Sequence, residues 1–329
     1  MEFPHDCITK EVTKVMEKRY LGTVEVSAIG MGCMGFSHAE GMQTDIDTAA
    51  KIVREAADMG YTLFNTGWNY GNAIDPHHNE KILGKALSDI RHQVVISSKC
   101  GVDFDYAVNP DRPPLIYDFS RKTVRKCVEE SLRRLHTDYI DFYLQARIDP
   151  KVTPEEAAAT MAELIQEGKV LHWGVSEADE AYLRKANAVC PITVVENNYN
   201  MINRNHETLI PFLEENNIGW VAHGPLFKGL LTGTFQKGAA FAADDWRGSV
   251  INDQNLDKYA PLLNYLSELG REKDASPVQI ALAWILHQKP YIVPIPGMKR
   301  RERLEENRGA AKIVLSAGEL MKIDLLLEK

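Results

Sequence analysis

The sequence predicts a parallel α/β protein closed as a (β/α)8 TIM barrel. Short β-branched or aliphatic runs alternate with longer segments of helical periodicity from one end to the other, which is the pattern of repeated βαβ units. Eight strand candidates fall within 329 residues, which suits a closed barrel better than an open sheet. No linker-like change in composition divides the chain. One barrel domain is therefore expected over 18–329, preceded by an N-terminal extension at 1–17.

The strands are expected at 26–30, 63–65, 94–98, 140–144, 171–176, 194–197, 219–223 and 291–294. Between them, amphipathic segments at 45–59, 79–87, 120–135, 154–167, 179–188, 207–216 and 277–287 read as helices, most with Ser, Thr, Asp or Asn near the start to accept from the first free amides. The stretch 224–257 is rich in Gly, Ala, Asn and Asp and is too long for an ordinary connection. It reads as a cover over the barrel mouth, reaching to about residue 259.

Charge narrows the function. With 38 Lys and Arg against 46 Asp and Glu, the net charge is −8, and no long single-sign run occurs. A general nucleic-acid or membrane-surface role has no electrostatic support. No apolar stretch approaches the roughly 18 to 20 residues that span a bilayer, and residues 1–18 are too charged for the apolar part of a signal peptide. A cytoplasmic location is expected. Five cysteines, Cys7, Cys33, Cys100, Cys127 and Cys190, form neither C-x-x-C pairs nor clusters with histidine, and read as buried thiols.

In a barrel, chemistry belongs at the C-terminal ends of the strands. Those ends read Asn65-Thr66-Gly67 with Tyr70 beyond, Ser98-Lys99-Cys100, Gln145-Ala146-Arg147, Ser176-Glu177, Glu196-Asn197-Asn198 and His223-Gly224-Pro225. Lys99 closes an otherwise apolar and small-residue run, so it points into the mouth or pairs with an acid. Tyr70 lies in a polar loop, as a phenolic acid or as a packing aromatic. A nearby ammonium stabilises phenolate, which would make such a tyrosine usable as a general acid or base.

After the last strand, the run from Pro294 to Asn307 opens a helix with Lys299, Arg300, Arg301 and Arg303 at its start. Positive charge there opposes the helix dipole and suits a bound phosphate. His77-His78 with Asp75 lacks a third converging ligand and reads as a surface loop rather than a metal site. Gly30-Met31-Gly32 lacks the third glycine and following helix of a Rossmann fingerprint.

The stretches GMGCMGFS, LFNTGWNYGN with NEKILGKAL, VVISSKCG, TVRKCVEESLRRLHTDYIDFYLQARIDP, LIQEGKVLHWGVSE, VAHGPLFKGLLTG and IVPIPGMKRRERLEENRGA resemble the aldo-keto reductase superfamily over about 18–323. The likeness is greatest to the bacterial and plant branch with a short cover. The resemblance implies a barrel that binds NADP(H) in extended form without a Rossmann domain. It further implies carbonyl reduction of a small-molecule substrate by hydride transfer.

Carried over by position, Tyr70 matches the proton donor and Lys99 the lysine that lowers its pKa. The aspartate that pairs with that lysine falls at Asn65, and the histidine that orients the carbonyl falls at Ala146. The nicotinamide carboxamide positions fall at Ser176, Glu177 and Glu196, and the aromatic against the ring at His223. Gly32, Cys33, Met34, Leu226, Lys228 and Gly297 fall along the cofactor, Lys299 and Arg303 at its 2′-phosphate, and Glu306 and Asn307 at its adenine. Departures thus gather at the reacting end. Asn65 is expected to leave the Lys99 charge unbalanced, favouring tyrosinate at Tyr70. Two other readings stand beside the oxidoreductase: a catalytically weak NADP-binding regulatory protein, and a non-redox barrel enzyme using Tyr70, Lys99, Glu177 and Glu196 for proton transfer.

Overall fold

The computed structural model describes residues 16–38, 43–109, 113–241 and 245–328. Eight parallel strands lie side by side in chain order: β1 (Met31–Gly32), β2 (Leu63–Asn65), β3 (Val95–Cys100), β4 (Ile140–Gln145), β5 (Val170–Ser176), β6 (Val194–Asn198), β7 (Gly219–His223) and β8 (Ile292–Pro294). The first and last strands meet. Gly32 bridges Gly297, and the Gly30 and Gly32 amides donate to the Pro294 and Pro296 carbonyls at 2.9 and 3.0 Å. A Cβ on Gly32 would lie 2.6 Å from the Ile295 carbonyl oxygen, so this close approach requires glycine.

The expected strand 26–30 is corrected. Val24–Ser27 instead pairs antiparallel with Lys18–Leu21, and the barrel strand begins only at Met31. Tertiary packing decides this: Leu21 and Val26 join Leu63, Phe142, Val194 and Val221 in one buried cluster, where the hairpin plugs the N-terminal end of the barrel. Gly219 makes room for it, since its absent Cβ would fall 2.5 Å from Leu21 Cα.

The helices are α1 (Ile46–Asp58), α2 (His78–Leu87), α3 (Arg121–Leu135), α4 (Pro154–Gln166), α5 (Glu180–Val189), α6 (Ile210–Glu215), α7 (Asp253–Lys258), α8 (Ala260–Glu272), α9 (Pro277–Gln288), α10 (Arg301–Gly309) and α11 (Ala317–Leu327). Their starts follow from local chemistry: the side chains of Asp45, Ser120 and Asp179 accept from first-turn amides, and Thr153, Ser276 and Ser316 form capping boxes. Their apolar faces bury against the outer face of the strands. Among the described residues no helix is long and apolar enough to cross a membrane.

Further segments differ from expectation, among them α8 and α11, which lie outside the expected helices. The stretch 224–257 is partly ordered, with 3-10 turns at Phe227–Thr232 and Trp246–Ser249 and α7 around a small core of Leu230, Ile251 and Leu256. A hairpin of Val102–Phe104 with Leu115–Tyr117 follows β3; its three-residue strands are too short to show a period. Cys33, Cys100, Cys127 and Cys190 are free buried thiols, while Cys7 and residues 1–15 of the expected N-terminal extension lie outside the described residues.

Candidate active site

Side chains alternate along a strand, so residues two apart share the inner face. Phe142, Leu144, Val194 and Val221 point into the barrel. By the same alternation Ala146, Glu196 and His223 point inward, as do Asn65 above Leu63 and Lys99 on β3. The strand ends therefore place a ring of polar groups at the mouth.

Lys99 is at its centre and is buried. Its Nζ forms an ion pair with Glu196 Oε1 and donates to Asn65 Oδ1 and to the Tyr70 hydroxyl, each at 3.1 Å. Asn65 Nδ2 in turn donates to Glu196 Oε2 at 2.7 Å and to Ser97 Oγ at 3.3 Å. The expectation of an unbalanced Lys99 is overturned, because Glu196 supplies the counter-charge from across the barrel. Burial alone would depress the ammonium pKa; the Glu196 carboxylate and Tyr70 outweigh it and hold the pKa above the ordinary lysine value. Asn65 closes a triangle with both partners. Both Glu196 oxygens are spent on Lys99 and Asn65.

Tyr70 owes its place to Asn79, on the first turn of α2. The Asn79 amide donates to the Tyr70 carbonyl at 3.0 Å, and its buried side chain donates to the Cys33 carbonyl and Ser37 Oγ while accepting from Thr66 Oγ1. Ser37 Oγ also donates to the Tyr70 carbonyl, at 3.0 Å. One amide thus ties the ends of β1 and β2 to the Tyr70 loop. Its signal was present in NEKILGKAL but carried no chemistry by residue type. His77 and His78 are used structurally: His77 Nδ1 contacts the Trp68 carbonyl at 2.6 Å, and His78 lies between Asp75 and the Thr44 carbonyl. His78 is buried, which corrects its placement on a surface loop.

Glu177 has a left-handed backbone, φ 58°, unusual for a residue with a side chain. Its Oε1 accepts from the Asn198 amide and His223 Nε2, both at 2.7 Å, and its Oε2 from His206 Nε2 at 3.0 Å. Burial would raise its pKa, but the two imidazoles and the Asn198 amide hold it well below the ordinary carboxylate range. Ala146 is buried beside Ser176, and the following Arg147 turns back so that its Nη1 donates to Ser176 Oγ at 3.1 Å. Arg147 follows Ala146 at the strand end, where residue type alone gives it no role.

Gly32, Cys33 and Met34 lie where β1 ends: the Cys33 amide donates to the Asn65 carbonyl at 2.9 Å, and burial pushes the Cys33 thiol pKa up. Leu226 precedes the turn containing Lys228, whose Nζ donates to Ser249 Oγ at 2.8 Å. Past β8, Gly297 bridges β1, Lys299 lies just before α10, and Arg303 is ion-paired with Glu306. Two observations fit an adenosine phosphate here. The start of α10 has no side-chain cap, and the Oδ1 of buried Asn307 is an acceptor without a partner.

The barrel, the Tyr70–Lys99 contact and the α10 site together define a class. The Aldo/keto reductase family pattern matches residues 28–328, and the chain belongs to that family. It is similar to "Probable aldo-keto reductase 1" of Glycine max, at 33% identity over 311 residues, covering 92% of this chain and 86% of that protein. Its structure is similar to the glycerol dehydrogenase AKR11B4 from Gluconobacter oxydans, with TM-score 0.85, 25% identity and 94% of each chain covered. An aldo/keto reductase from Klebsiella pneumoniae, solved with NADP and acetate, shares the fold at TM-score 0.71 and 24% identity, covering 95% of this chain and 96% of that one.

Proposed function

We propose that the protein is an NADP(H)-dependent oxidoreductase that interconverts a small-molecule carbonyl compound and its alcohol. The observation that carries this reading is the Tyr70 hydroxyl, 3.1 Å from a Lys99 ammonium kept charged by Glu196. NADPH, when bound, would supply hydride to the carbonyl carbon. Tyr70 supplies the proton to the carbonyl oxygen and recovers it in the reverse direction. Lys99 stabilises the developing phenolate electrostatically, and Glu196 with Asn65 fixes Lys99 in place. Ala146 offers no side-chain donor to the substrate oxygen, so Tyr70 carries that contact.

Asn307 and the uncapped start of α10 would hold the adenine and the phosphate, with Arg303 and Lys299 beside them. Ser176 and His223 would line the nicotinamide end, and 224–259 would cover the mouth. Glu196 is assigned to Lys99 rather than to the carboxamide. Non-redox proton transfer by Glu177 and Glu196 is disfavoured, since each carboxylate already has both oxygens bonded. The test is the loss of NADPH absorbance with a panel of aldehydes and ketones, and its gain from NADP with the matching alcohols. Cofactor binding without turnover in either direction would leave the regulatory reading instead.

A further inference from the structure

Lys99 pairs with Glu196 at the mouth, and the Glu177 carboxylate accepts from His206 and His223. Arg147 is different. Among the described residues it bonds two oxygens, the Ala146 carbonyl at 2.6 Å and Ser176 Oγ at 3.1 Å, and neither carries a charge. Ser176 is buried at the end of β5 and Arg147 itself is exposed, so this bond holds the guanidinium at the rim of the mouth beside Ala146. Its remaining N–H groups form a planar fork suited to two oxygens of one carboxylate.

On the other side of Lys99 stands a wall of rings. His38 stacks on Tyr70 with planes 7° apart and centroids at 5.9 Å, and it packs against Phe104 at 4.9 Å and edge-on to Trp246 at 5.4 Å. These three come from the end of β1, the hairpin after β3 and the cover. Burial lowers the His38 pKa despite its hydrogen bond to the Gly71 carbonyl, which favours a neutral ring. Aromatic rings gathered beside Tyr70 suit an apolar, ring-bearing group.

We propose that the substrate is a planar, aromatic carbonyl compound bearing a carboxylate, with Arg147 binding the carboxylate and the His38–Phe104–Trp246 wall holding the ring. This rests on the oxidoreductase reading for the reaction, but its binding half does not depend on turnover. Two measurements separate them. In the first, NADPH-dependent reduction of para-formylbenzoate is compared with that of its methyl ester, which has a similar shape without the charge; the ester withdraws electrons more strongly and makes its aldehyde the more reactive, so a preference for the acid reads recognition of the carboxylate. A charge-assisted contact predicts a kcat/KM ratio of acid to ester of about 10 to 100. Arg147→Met should bring the ratio to about one or below, and Arg147→Lys should keep part of it. In the second, the product alcohols para-(hydroxymethyl)benzoate and its methyl ester are titrated by calorimetry into NADPH-loaded protein, where no reaction can occur. The acid should bind at least about tenfold more tightly, and Arg147→Met should remove the difference. Equal binding of acid and ester, or a preference that survives Arg147→Met, overturns the proposal. If the acid binds through Arg147 but neither aldehyde is reduced, the oxidoreductase reading fails and the anion site stands.

Discussion

Glu196 and Lys99 form a buried ion pair across the barrel, 97 residues apart in the chain, with Asn65 bonded to both. The resemblance implies an aspartate at position 65 and, among the positions that hold the nicotinamide carboxamide, a glutamine at 196; here Asn65 carries the amide and Glu196 the acid. We propose that the two functional groups have changed places relative to that pattern; in this structure Glu196 supplies the charge that meets Lys99.

A mutant cycle at these positions tests that exchange. Glu196→Gln leaves a buried ammonium without its counter-charge and should destabilise the protein by about 3 to 5 kcal/mol, the usual effect of removing one partner of a buried pair. Asn65→Asp alone places a second carboxylate beside Glu196 and should also be harmful. The double change Asn65→Asp with Glu196→Gln should recover about 1 to 3 kcal/mol of the summed loss, as a favourable coupling between the two positions. Urea unfolding of the four proteins measures it, and strict additivity would refute the exchange.

Tyr70→Phe keeps the ring stacked near His38 and deletes the hydroxyl that Lys99 contacts. Turnover of an accepted carbonyl should fall at least about a hundredfold while NADPH affinity stays close to that of the wild type. Steady-state kinetics with a fluorescence titration of the cofactor check both halves. Near-normal turnover would remove Tyr70 from the chemistry.

At α10 the phosphate and adenine contacts can be separated. NADPH should bind about 10- to 100-fold more tightly than NADH, and Arg303→Ala should shrink that gap. Asn307→Leu, by removing the unpartnered buried acceptor, should weaken both cofactors alike, because both carry adenine. The same fluorescence titration distinguishes the two patterns.

Glu177 supplies a pH signature. Its folded pKa lies below the unfolded value, so its contribution to stability is fully present above the ordinary glutamate pKa, about 4.3, and is lost as pH falls through that value toward the folded one. Glu177→Gln should therefore lower Tm at pH 7, and the gap between the two proteins should narrow on acidification through pH 4. Thermal unfolding across that range provides the measurement; a constant gap would mean that the His206 and His223 contacts contribute nothing to the carboxylate's stability.

Much of this molecule is local in origin. The alternation of strands and capped helices, the strand-end position of Lys99, the loop position of Tyr70 and the basic start of α10 follow from periods, caps and side-chain types within short windows. Two features do not. A period-two run at 24–30 fits a hairpin as well as a barrel strand, and only the space for Leu21 and Val26 at the base of the barrel decides between them. Likewise, a glutamate at the end of β6 has no local reason to prefer an ammonium over a cofactor amide. That choice depends on Glu196, Asn65 and Lys99 reaching one another across the mouth, which is set by how the closed sheet staggers its strands. Burial then enforces the pairing, since a lysine out of water needs a carboxylate to remain charged.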